Sequence, residues 1–459
     1  MDKHYSETMP VPMTFPDGFL WGAATSAYQV EGSPLADGAG ASIWHDFAHT
    51  PGRVANGDNG DSACDHYHRY ADDIGLMTGL GLNAYRFSIA WGRVLPDGTG
   101  KPNPGGLDFY RRLVDTLLAQ GIEPMVTLYH WDLPAALQAR GGWLNPDSAG
   151  WFADYARILF DALDDRVPHW LTLNEPWVVT VAGHLQGEHA PGHRSLYETP
   201  RVAHALLRAH AAAVSAYRTT GRHRIGLAVN LEPQHPASGE EKDLAAAARR
   251  DAFINRWFLD PLFLGAYPPE LEDIFGADWP GYTATDLSGL PGTVDFLGVN
   301  YYSRGVVRDD PQDCPVRAAR VRQDDRPHTA MDWEVYPAGL TEILLWIKGR
   351  YGNPPVYITE NGAAFDDPSP GTGELQDPQR VDYLGRHLLA ARQALEQGAD
   401  LRGYFAWSLL DNFEWACGYA RRFGLVHVDF TTQRRTPKQS AQFYREVIRT
   451  RGGVLTGTG

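Results

Sequence analysis

Residues 356–363 read Val-Tyr-Ile-Thr-Glu-Asn-Gly-Ala, and we start from this stretch because it decides the fold. The β-branched and aromatic residues at 356–359 predict a short buried strand, bounded by two prolines before it and Asn-Gly after it. Glu360 therefore stands at the end of a buried strand, where a carboxylate loses solvation unless partners compensate. A second run, Trp-Leu-Thr-Leu-Asn-Glu at 170–175, ends in the same way at Glu175.

A single glutamate after an apolar run is more often a first-turn helix residue or a surface ion-pair partner. Here both Glu175 and Glu360 stand beside asparagine and among aromatic residues, and each follows a run long enough only for a strand. Two carboxyl groups at strand ends favour glycoside hydrolysis, in which one attacks or stabilises the sugar while the other moves protons.

Length and composition bound the alternatives. A chain of 459 residues can form two or three ordinary domains or one large barrel. The net charge of −15 argues against nucleic acid or an anionic membrane as partner, since both repel an acidic surface. We expect a small-molecule partner, and a homo-oligomer is possible.

The location we expect is cytoplasmic. Three scattered cysteines, Cys64, Cys314 and Cys417, are too few for a disulfide framework or a zinc cluster. No apolar run of transmembrane length occurs, and the first 16 residues lack the apolar segment of a secretory signal. Residues 1–15 are expected to be extended or loosely ordered.

Strand-like and helix-like patterns alternate along the chain. Strands are predicted near residues 20, 85, 125, 172, 227, 297, 358 and 405, each followed by a helix, with a long loop over 33–64. Eight such units predict a closed parallel (β/α)8 TIM barrel of the α/β class, a single catalytic domain spanning 1–459. The units average about 57 residues against roughly 30 for a minimal one, so the loops at the carboxyl ends of the strands must be long.

Functional residues of such a barrel gather where strands end and loops begin. Glu175 and Glu360 end the fourth and seventh strands and are expected to face each other across the barrel opening. The other polar or aromatic residues at strand ends are Gln29, Arg86, His130, Trp131, Asn174, Asn300, Tyr302, Trp407, Glu414 and Trp415.

Different surroundings would give the two glutamates different roles. Arg86 and Tyr302 are plausible neighbours of Glu360, and a cation and a hydroxyl donor would keep it ionised, as a nucleophile requires. Asn300 is a further candidate to support the nucleophile. Glu175 stands near tryptophans, so a drier setting would raise its pKa and suit an acid/base. Arg86 taken alone is about equally well explained as a structural ion-pair partner.

The remaining candidates would bind a sugar. Asn174 is placed to contact a hydroxyl beside the reacting carbon, and Gln29, His130 and Glu414 could bind the other hydroxyls. Trp407 and Trp415 offer flat faces for a pyranose ring, with Trp333 as an outer wall.

No cofactor and no metal site is expected. His66 and His68 are two residues apart on a predicted helix, so they point in different directions, and no carboxylate cluster completes a site there. His189 and His193 lie in a Gly/Pro loop and are expected to shape the entrance.

With these residues in view, the chain resembles glycoside hydrolase family 1, the β-glucosidase family, over nearly its whole length. Seven motifs in the family's order carry the resemblance: FLWGAATSAYQVEG at 19–32, YRFS at 85–88, LYHWDLP at 128–134, TLNEPW at 172–177, GVNYY at 298–302, ITENG at 358–362 and WSLLDNFEW at 407–415.

The resemblance implies a retaining mechanism in which Glu360 forms a covalent glycosyl-enzyme and Glu175 acts first as acid and then as base. It also implies that Arg86 and Tyr302 serve the nucleophile and that Phe423 lies near the outer end of the sugar. The glycone contacts that it implies are Gln29, His130, Asn174, Trp407, Glu414 and Trp415.

Three residues bear on which substrates this chain would accept among those of the family. Similar thioglucosidases carry Gln where this chain has Glu175, and members acting on 6-phosphorylated sugars replace the region of Glu414, which here would repel a phosphate. His184 departs from the family's usual aromatic residue on the leaving-group side, which leaves the aglycone open.

The function expected is therefore a β-glucosidase acting on terminal β-glucosyl residues of cello-oligosaccharides or of aryl and alkyl glucosides, with side activity on β-galactosides or β-fucosides. A transglycosidase using the same two carboxylates is the nearest alternative. A non-catalytic sugar-binding barrel would be expected to have lost Glu175 or Glu360, and both are present.

Overall fold

A closed barrel of eight parallel strands forms the centre of the computed structural model, which describes residues 14–368 and 375–455. Each strand pairs with its neighbours in chain order, and the last closes on the first, as in a (β/α)8 barrel. The strands are β1 (Leu20–Ala24), β2 (Ala84–Ser88), β3 (Glu123–Tyr129), β4 (His169–Asn174), β5 (Arg224–Asn230), β6 (Leu297–Asn300), β7 (Val356–Asn361) and β8 (Leu401–Trp407).

One major helix follows each strand in the chain. The eight helices are α1 (His66–Gly79), α2 (Pro104–Ala119), α3 (Ser148–Leu163), α4 (Glu198–Thr220), α5 (Glu241–Asp251), α6 (Ala338–Tyr351), α7 (Pro378–Glu396) and α8 (Gln439–Arg449). The fold predicted from the alternating pattern is confirmed.

Helix α2 illustrates why the predicted helices form. The Asn103 side chain accepts a hydrogen bond from the Gly105 amide, and Pro104 occupies the first turn, where its missing N–H removes no helical bond. Leu113 and Leu117, one turn apart, are buried on the face that packs inward. A polar residue at either position would remove about 1.5–3 kcal/mol of burial energy.

The barrel interior is packed with side chains. Ala24, Ala84, Met125, Leu171 and Phe405 are among the residues that fill it, so the barrel is not a channel. Residues at the carboxyl ends of the strands stand above this packed layer, and the long loops enclose them.

The predicted long loop over 33–64 contains more structure than expected. It includes a short helix, Ile43–Ala48, whose first turn is capped by Ser42, and Trp44 of this helix is fully buried. A six-residue helix is too short for a clear 3.6-residue period among glycines and aspartates, which explains why the sequence pattern does not reveal it.

Two small sheets outside the barrel also lack a sequence signal. One contains Gln234–Pro236, Gly305–Asp309 and Ala318–Arg320, and the other pairs Val426–Asp429 with Arg434–Pro437. Strands of three to five residues span too few alternations to be recognised.

Of residues 1–15, which we expected to be extended or loosely ordered, residues 1–13 lie outside the described residues, and Phe15 belongs to the core. The Phe15 ring is buried against Phe19 and Trp21, and its amide donates to the Arg451 carbonyl at 2.9 Å. Within the described residues, no helix has the length and apolar character needed to cross a bilayer.

Candidate active site

A cavity of about 290 Å³ opens at the carboxyl ends of the strands and contains both glutamates. It is lined by His130, Trp131, Glu175, Val178, Glu188, His189, Tyr302, Met331, Trp333, Glu360, Trp407, Glu414, Trp415, Ala416, Cys417 and Phe423. A larger cavity of about 730 Å³ lies at the opposite end, against the first residues of strands, such as Leu20 and His169. Catalytic groups of (β/α)8 barrels come from the carboxyl ends of the strands, so we take the smaller cavity as the candidate site.

Glu360, near the end of β7, is buried and held through both carboxylate oxygens. Arg86 Nη1 donates to Oε1 at 2.7 Å, and the Tyr302 hydroxyl donates to Oε2 at 2.6 Å. Burial raises the pKa of Glu360, while the Arg86 charge and the Tyr302 hydrogen bond lower it. The carboxylate is therefore fixed in orientation and has a cation that favours its ionised form.

Glu175 directly follows β4 and has a left-handed backbone conformation with φ of 44°. Such a φ is uncommon for a residue other than glycine and marks a sharp turn between strand and helix. The Asn300 amide donates to Glu175 Oε1 at 2.7 Å. Burial and, next, the negative charge of Glu360 raise the pKa of Glu175 to about 8.

The unequal partners of the two carboxyl groups decide where a shared proton resides. Glu360 has a guanidinium and a hydroxyl as donors, whereas Glu175 has a neutral amide. Two nearby buried carboxylates do not both ionise at neutral pH, and the one without the cation keeps the proton. These contacts therefore favour the proton on Glu175 and the negative charge on Glu360.

Asn300, predicted to support the nucleophile, contacts both carboxyl groups. Its amide nitrogen donates to Glu175, although a weaker contact with Glu360 also lowers the pKa of that group. Thr359 Oγ1 donates to Asn300 Oδ1 at 2.7 Å, which fixes the amide with its nitrogen toward Glu175. Sequence could not reveal this, because the orientation of an amide depends on partners distant in the chain.

Asn174 lies beneath the cavity in a hydrogen-bonded network. Its Oδ1 accepts from Arg86 Nη2 at 2.6 Å and from Asn300 Nδ2 at 3.0 Å, and its amide nitrogen lies 3.1 Å from His130 Nε2. Both lone pairs of Oδ1 are occupied, so only its amide nitrogen has capacity left for a sugar hydroxyl. Burial and the Arg86 charge lower the pKa of His130, which keeps its imidazole neutral.

Gln29 supports Glu414 from behind. It is fully buried, donates to the Phe413 carbonyl at 2.9 Å and has a longer contact of 3.4 Å to Glu414 Oε2. Glu414 lines the cavity, and burial followed by the charge of Glu360 raises its pKa to about 8. Its carboxyl group faces the cavity, where it can bind a sugar hydroxyl.

Aromatic rings form two walls of the cavity. The His130 ring is stacked with both Trp407 and Trp415, 5.9 Å from each, with interplanar angles of 19° and 24°. On the other side, Trp333 packs against Tyr302 at 5.1 Å and against Phe423 at 6.2 Å. Flat apolar walls beside buried polar groups suit a pyranose, which has both kinds of surface.

The structure adds residues that the sequence did not single out as site residues. Glu188, Met331 and Cys417 line the cavity, and His189 joins them from the predicted entrance loop. His193 pairs instead with Glu198 at 2.8 Å. These residues lie in long loops without periodic patterns, so the sequence gives little sign that they line the cavity. Only Cys417 could have been expected there, because it follows the predicted site residue Trp415 by two positions.

Comparison with known proteins agrees with this geometry. The family profile described as Glycosyl hydrolase family 1 matches residues 11–453. The chain belongs to glycosyl hydrolase family 1. It is therefore a glycoside hydrolase, as its paired carboxyl groups indicate.

Relatives within glycosyl hydrolase family 1 cover almost the whole chain. Beta-glucosidase A of Thermotoga maritima is 52% identical over 440 residues, which are 95% of this chain and 98% of the relative. The 1,4-beta-D-glucan glucohydrolase of Thermotoga neapolitana is 51% identical over 95% of this chain and 99% of its own. A solved structure of the family 1 β-glucosidase from Thermotoga maritima with isofagomine lactam matches with a TM-score of 0.93 and 52% identity, covering 95% of this chain and 99% of that one.

Proposed function

We propose that the protein is a retaining β-glucosidase that releases terminal β-D-glucosyl residues from cello-oligosaccharides or from aryl and alkyl β-glucosides, with side activity on β-galactosides or β-fucosides. The observation that carries the proposal is the pair of buried glutamates in one cavity, one held by a cation and the other by a neutral amide. Relatives named as β-glucosidases and as a β-glucan glucohydrolase support the substrate class.

In the first step, a Glu360 oxygen forms a bond to the anomeric carbon while the bond from that carbon to the leaving oxygen breaks. The electron pair of the broken bond stays on the leaving oxygen, which takes the proton of Glu175. Arg86 and Tyr302 hold Glu360 in the ionised form and orient it for this attack.

In the second step, water attacks the anomeric carbon and the ester bond to Glu360 breaks. Glu175, now ionised, takes a proton from the water, so both groups return to their starting states. Two displacements at one carbon leave the sugar with its original β configuration.

The cavity favours an unphosphorylated sugar. Among its described lining residues there is no lysine or arginine, and a buried phosphate would need such a cation. A phosphate buried without such a cation would keep an unpaired charge, so we expect 6-phosphorylated sugars to be excluded.

The experiment that tests the proposal combines a panel of nitrophenyl glycosides with proton NMR of the first product formed. We expect the β-glucoside to be the best substrate and the β anomer of glucose to appear first, before mutarotation. An α anomer appearing first would contradict a retaining mechanism, and a preference for another sugar would contradict the glucosidase assignment.

We further propose a cytoplasmic location, which the free state of Cys64, Cys314 and Cys417 supports. Cell fractionation with activity measurements tests it, since activity confined to the culture medium would contradict the assignment.

A further inference from the structure

A separate cluster of possible metal ligands lies outside the active cavity, where the short helix Ile43–Ala48 meets the loop that contains Asp61. His45, His49 and Asp61 each bring one ligand atom within 4.8 Å of the others. The two histidines are four residues apart, and their ring centroids lie 4.3 Å from each other, so both project on one side. In residues 14–368 and 375–455 this is the one group of three such ligands.

The hydrogen bonds of His49 orient its imidazole for metal binding. Its Nδ1 lies 2.7 Å from the His45 carbonyl oxygen, so Nδ1 carries hydrogen and donates. Its Nε2 then faces Asp61 Oδ2 at 3.0 Å. Both of these atoms can accept, so a cation must lie between them, either a proton or a metal ion. A histidine that binds a metal commonly donates its other nitrogen to a carbonyl or carboxylate, as His49 does.

His45 has a similar arrangement. Its Nδ1 lies 3.3 Å from Asp46 Oδ1, and a hydrogen on this nitrogen leaves Nε2 available as a ligand. The 3.0 Å between His49 and Asp61 is close to the roughly 3.3 Å between two ligands of a tetrahedral ion with bonds of about 2.0–2.1 Å. Small rotations of these solvent-accessible side chains would bring in the third ligand.

We propose that His45, His49 and Asp61 bind a divalent transition-metal ion of the Zn²⁺ class, with water completing the coordination. Two imidazoles and one carboxylate bind ions of this class in preference to Mg²⁺ or Ca²⁺, which favour ligand sets made only of oxygen atoms. The site is distinct from the catalytic pair and supplies no step of glycoside hydrolysis.

A bound ion would connect two segments that support the wall of the active cavity. Trp44, next to His45, packs at 4.4 Å from the Trp415 ring. Asp58, in the same loop as Asp61, accepts a hydrogen bond from the Tyr419 amide at 3.0 Å. Since the ion joins segments that separate on unfolding, its binding should raise the melting temperature.

Other histidine–carboxylate pairs in the described residues provide controls. His68 Nδ1 contacts Asp65 at 2.6 Å at an exposed position without a third ligand. The Asp73 carboxylate beside His66 already has a cation, Arg435, at 2.9 Å, so it does not need a metal.

Calorimetric titration of the full chain with Zn²⁺ tests the proposal. We compare the wild type with His49→Ala and Asp61→Asn, and use His68→Ala as the matched control. We expect saturable binding by the wild type, a dissociation constant raised at least about tenfold in His49→Ala and Asp61→Asn, and a control within about twofold of wild type. Added Zn²⁺ should raise the melting temperature of the wild type and the control only.

Two results would overturn the site. One is the absence of saturable binding to the wild type up to millimolar Zn²⁺. The other is equal affinity in the wild type and His49→Ala, which would place any bound zinc elsewhere, for example on Cys314 or Cys417. All substituted residues are at least partly exposed, so the variants should fold, and circular dichroism checks this.

Discussion

Glu175 and Glu360 carry the same chemical group, and the different roles that we propose for them follow from the atoms that surround each one. Only Glu360 has an arginine and a tyrosine as donors, whereas the donor to Glu175 is the amide of Asn300, which also contacts Glu360. This difference, together with burial, separates the two groups into a carboxylate and an acid.

Replacing the acid should affect substrates according to their leaving groups. In Glu175→Ala, a poor leaving group such as the glucose of cellobiose lacks its proton donor, so we expect turnover to fall about 10²–10⁴-fold. A dinitrophenyl group leaves without protonation, so formation of the glycosyl-enzyme from that substrate should be nearly unaffected. Steady-state and burst kinetics on both substrates measure this.

Azide provides the control for that variant. It attacks the glycosyl-enzyme without needing a base, so it should restore turnover of the dinitrophenyl glucoside and give the β-glucosyl azide. An equal loss of activity on both substrates, with no response to azide, would rule out Glu175 as the acid/base.

The raised pKa of Glu175 also predicts a change in stability. The pKa is about 8 in the folded protein against 4.5 for an ordinary glutamate, so between these pH values the unfolded chain releases a proton that the folded protein keeps. Stability from this group is therefore lost as the pH rises from about 4.5 to about 8. In Glu175→Gln this pH-dependent loss of stability is absent. The free energy of unfolding should therefore exceed that of the wild type at pH 8 by on the order of 1 kcal/mol or more, with no gain at pH 4.

Urea denaturation at pH 8 and at pH 4 measures the free energy of unfolding. Glu446→Gln is the control, because the Arg449 partner lowers the pKa of that exposed carboxyl and its removal should bring no gain. A Glu175→Gln variant equally or less stable than the wild type at pH 8 would show that Glu175 does not hold its proton against burial.

Arg86 is expected to tune the nucleophile. Its guanidinium group donates hydrogen bonds to Glu360, the Thr359 carbonyl and Asn174, and the single amino group of a lysine cannot reproduce this set of contacts. In Arg86→Lys the pKa of Glu360 should rise, so the acid limb of the kcat/KM profile should shift to higher pH, with a loss of about 10²-fold or more at the optimum. An unchanged acid limb would contradict the assignment.

At the scale of elements, the ends of strands β7 and β8 must approach closely for the site to form. A Cβ on Gly362, directly after β7, would lie 1.7 Å from the Trp407 carbonyl oxygen at the end of β8. Gly362→Ala should force these strand ends apart, move Glu360 relative to Trp407 and destabilise the protein by about 2–4 kcal/mol, with a large loss of activity.

The same substitution at an open helical position is the matched control. Gly349 lies in α6, is exposed, and an added Cβ would meet no atom within 4 Å. Gly349→Ala should stabilise the helix by about 0.5–1 kcal/mol and leave activity unchanged. Thermal unfolding of both variants measures these opposite shifts, and a well-folded, active Gly362→Ala would contradict the close approach.

Some of these helices and strands could be predicted from the sequence and others could not. The barrel strands and their helices were predictable because buried parallel strands and amphipathic helices repeat simple patterns eight times. The helix Ile43–Ala48 and the small outer sheets were not, because they are too short to show a period. Glu175 and Glu360 were predictable from their place at strand ends, but the partner of Asn300 depends on Thr359, which lies in another strand.

At the scale of the whole molecule, a buried cluster of charges connects the last helix to the active-site end of the barrel. Lys438, which precedes α8, is fully buried and contacts Asp367 after β7 and Asp411 after β8, the latter at 2.7 Å. Arg422 also contacts Asp411, and Arg380 also contacts Asp367. Burial alone would raise the pKa of Asp411, but these cations outweigh it and lower that pKa.

Lys438→Met should destabilise the whole fold, because it leaves two buried aspartates short of a cation. We expect a loss of about 3–5 kcal/mol in the free energy of unfolding, measured by chemical denaturation. Lys242→Met is the control, since Lys242 pairs with Glu240 at the surface, and it should change stability by less than about 1 kcal/mol. Equal stability of the two variants would show that the cluster does not hold α8 to the barrel.

In the mechanism that we propose, Glu360 becomes covalently bound to the sugar while Glu175 transfers the proton. The most direct test uses a 2-deoxy-2-fluoro-β-glucoside with a good leaving group, whose glycosyl-enzyme hydrolyses slowly, followed by mass spectrometry of the digested protein. We expect one fluoroglucosyl group per chain, on Glu360. A label on Glu175 or on any other residue, or no label in an enzyme that turns the compound over, would contradict this mechanism.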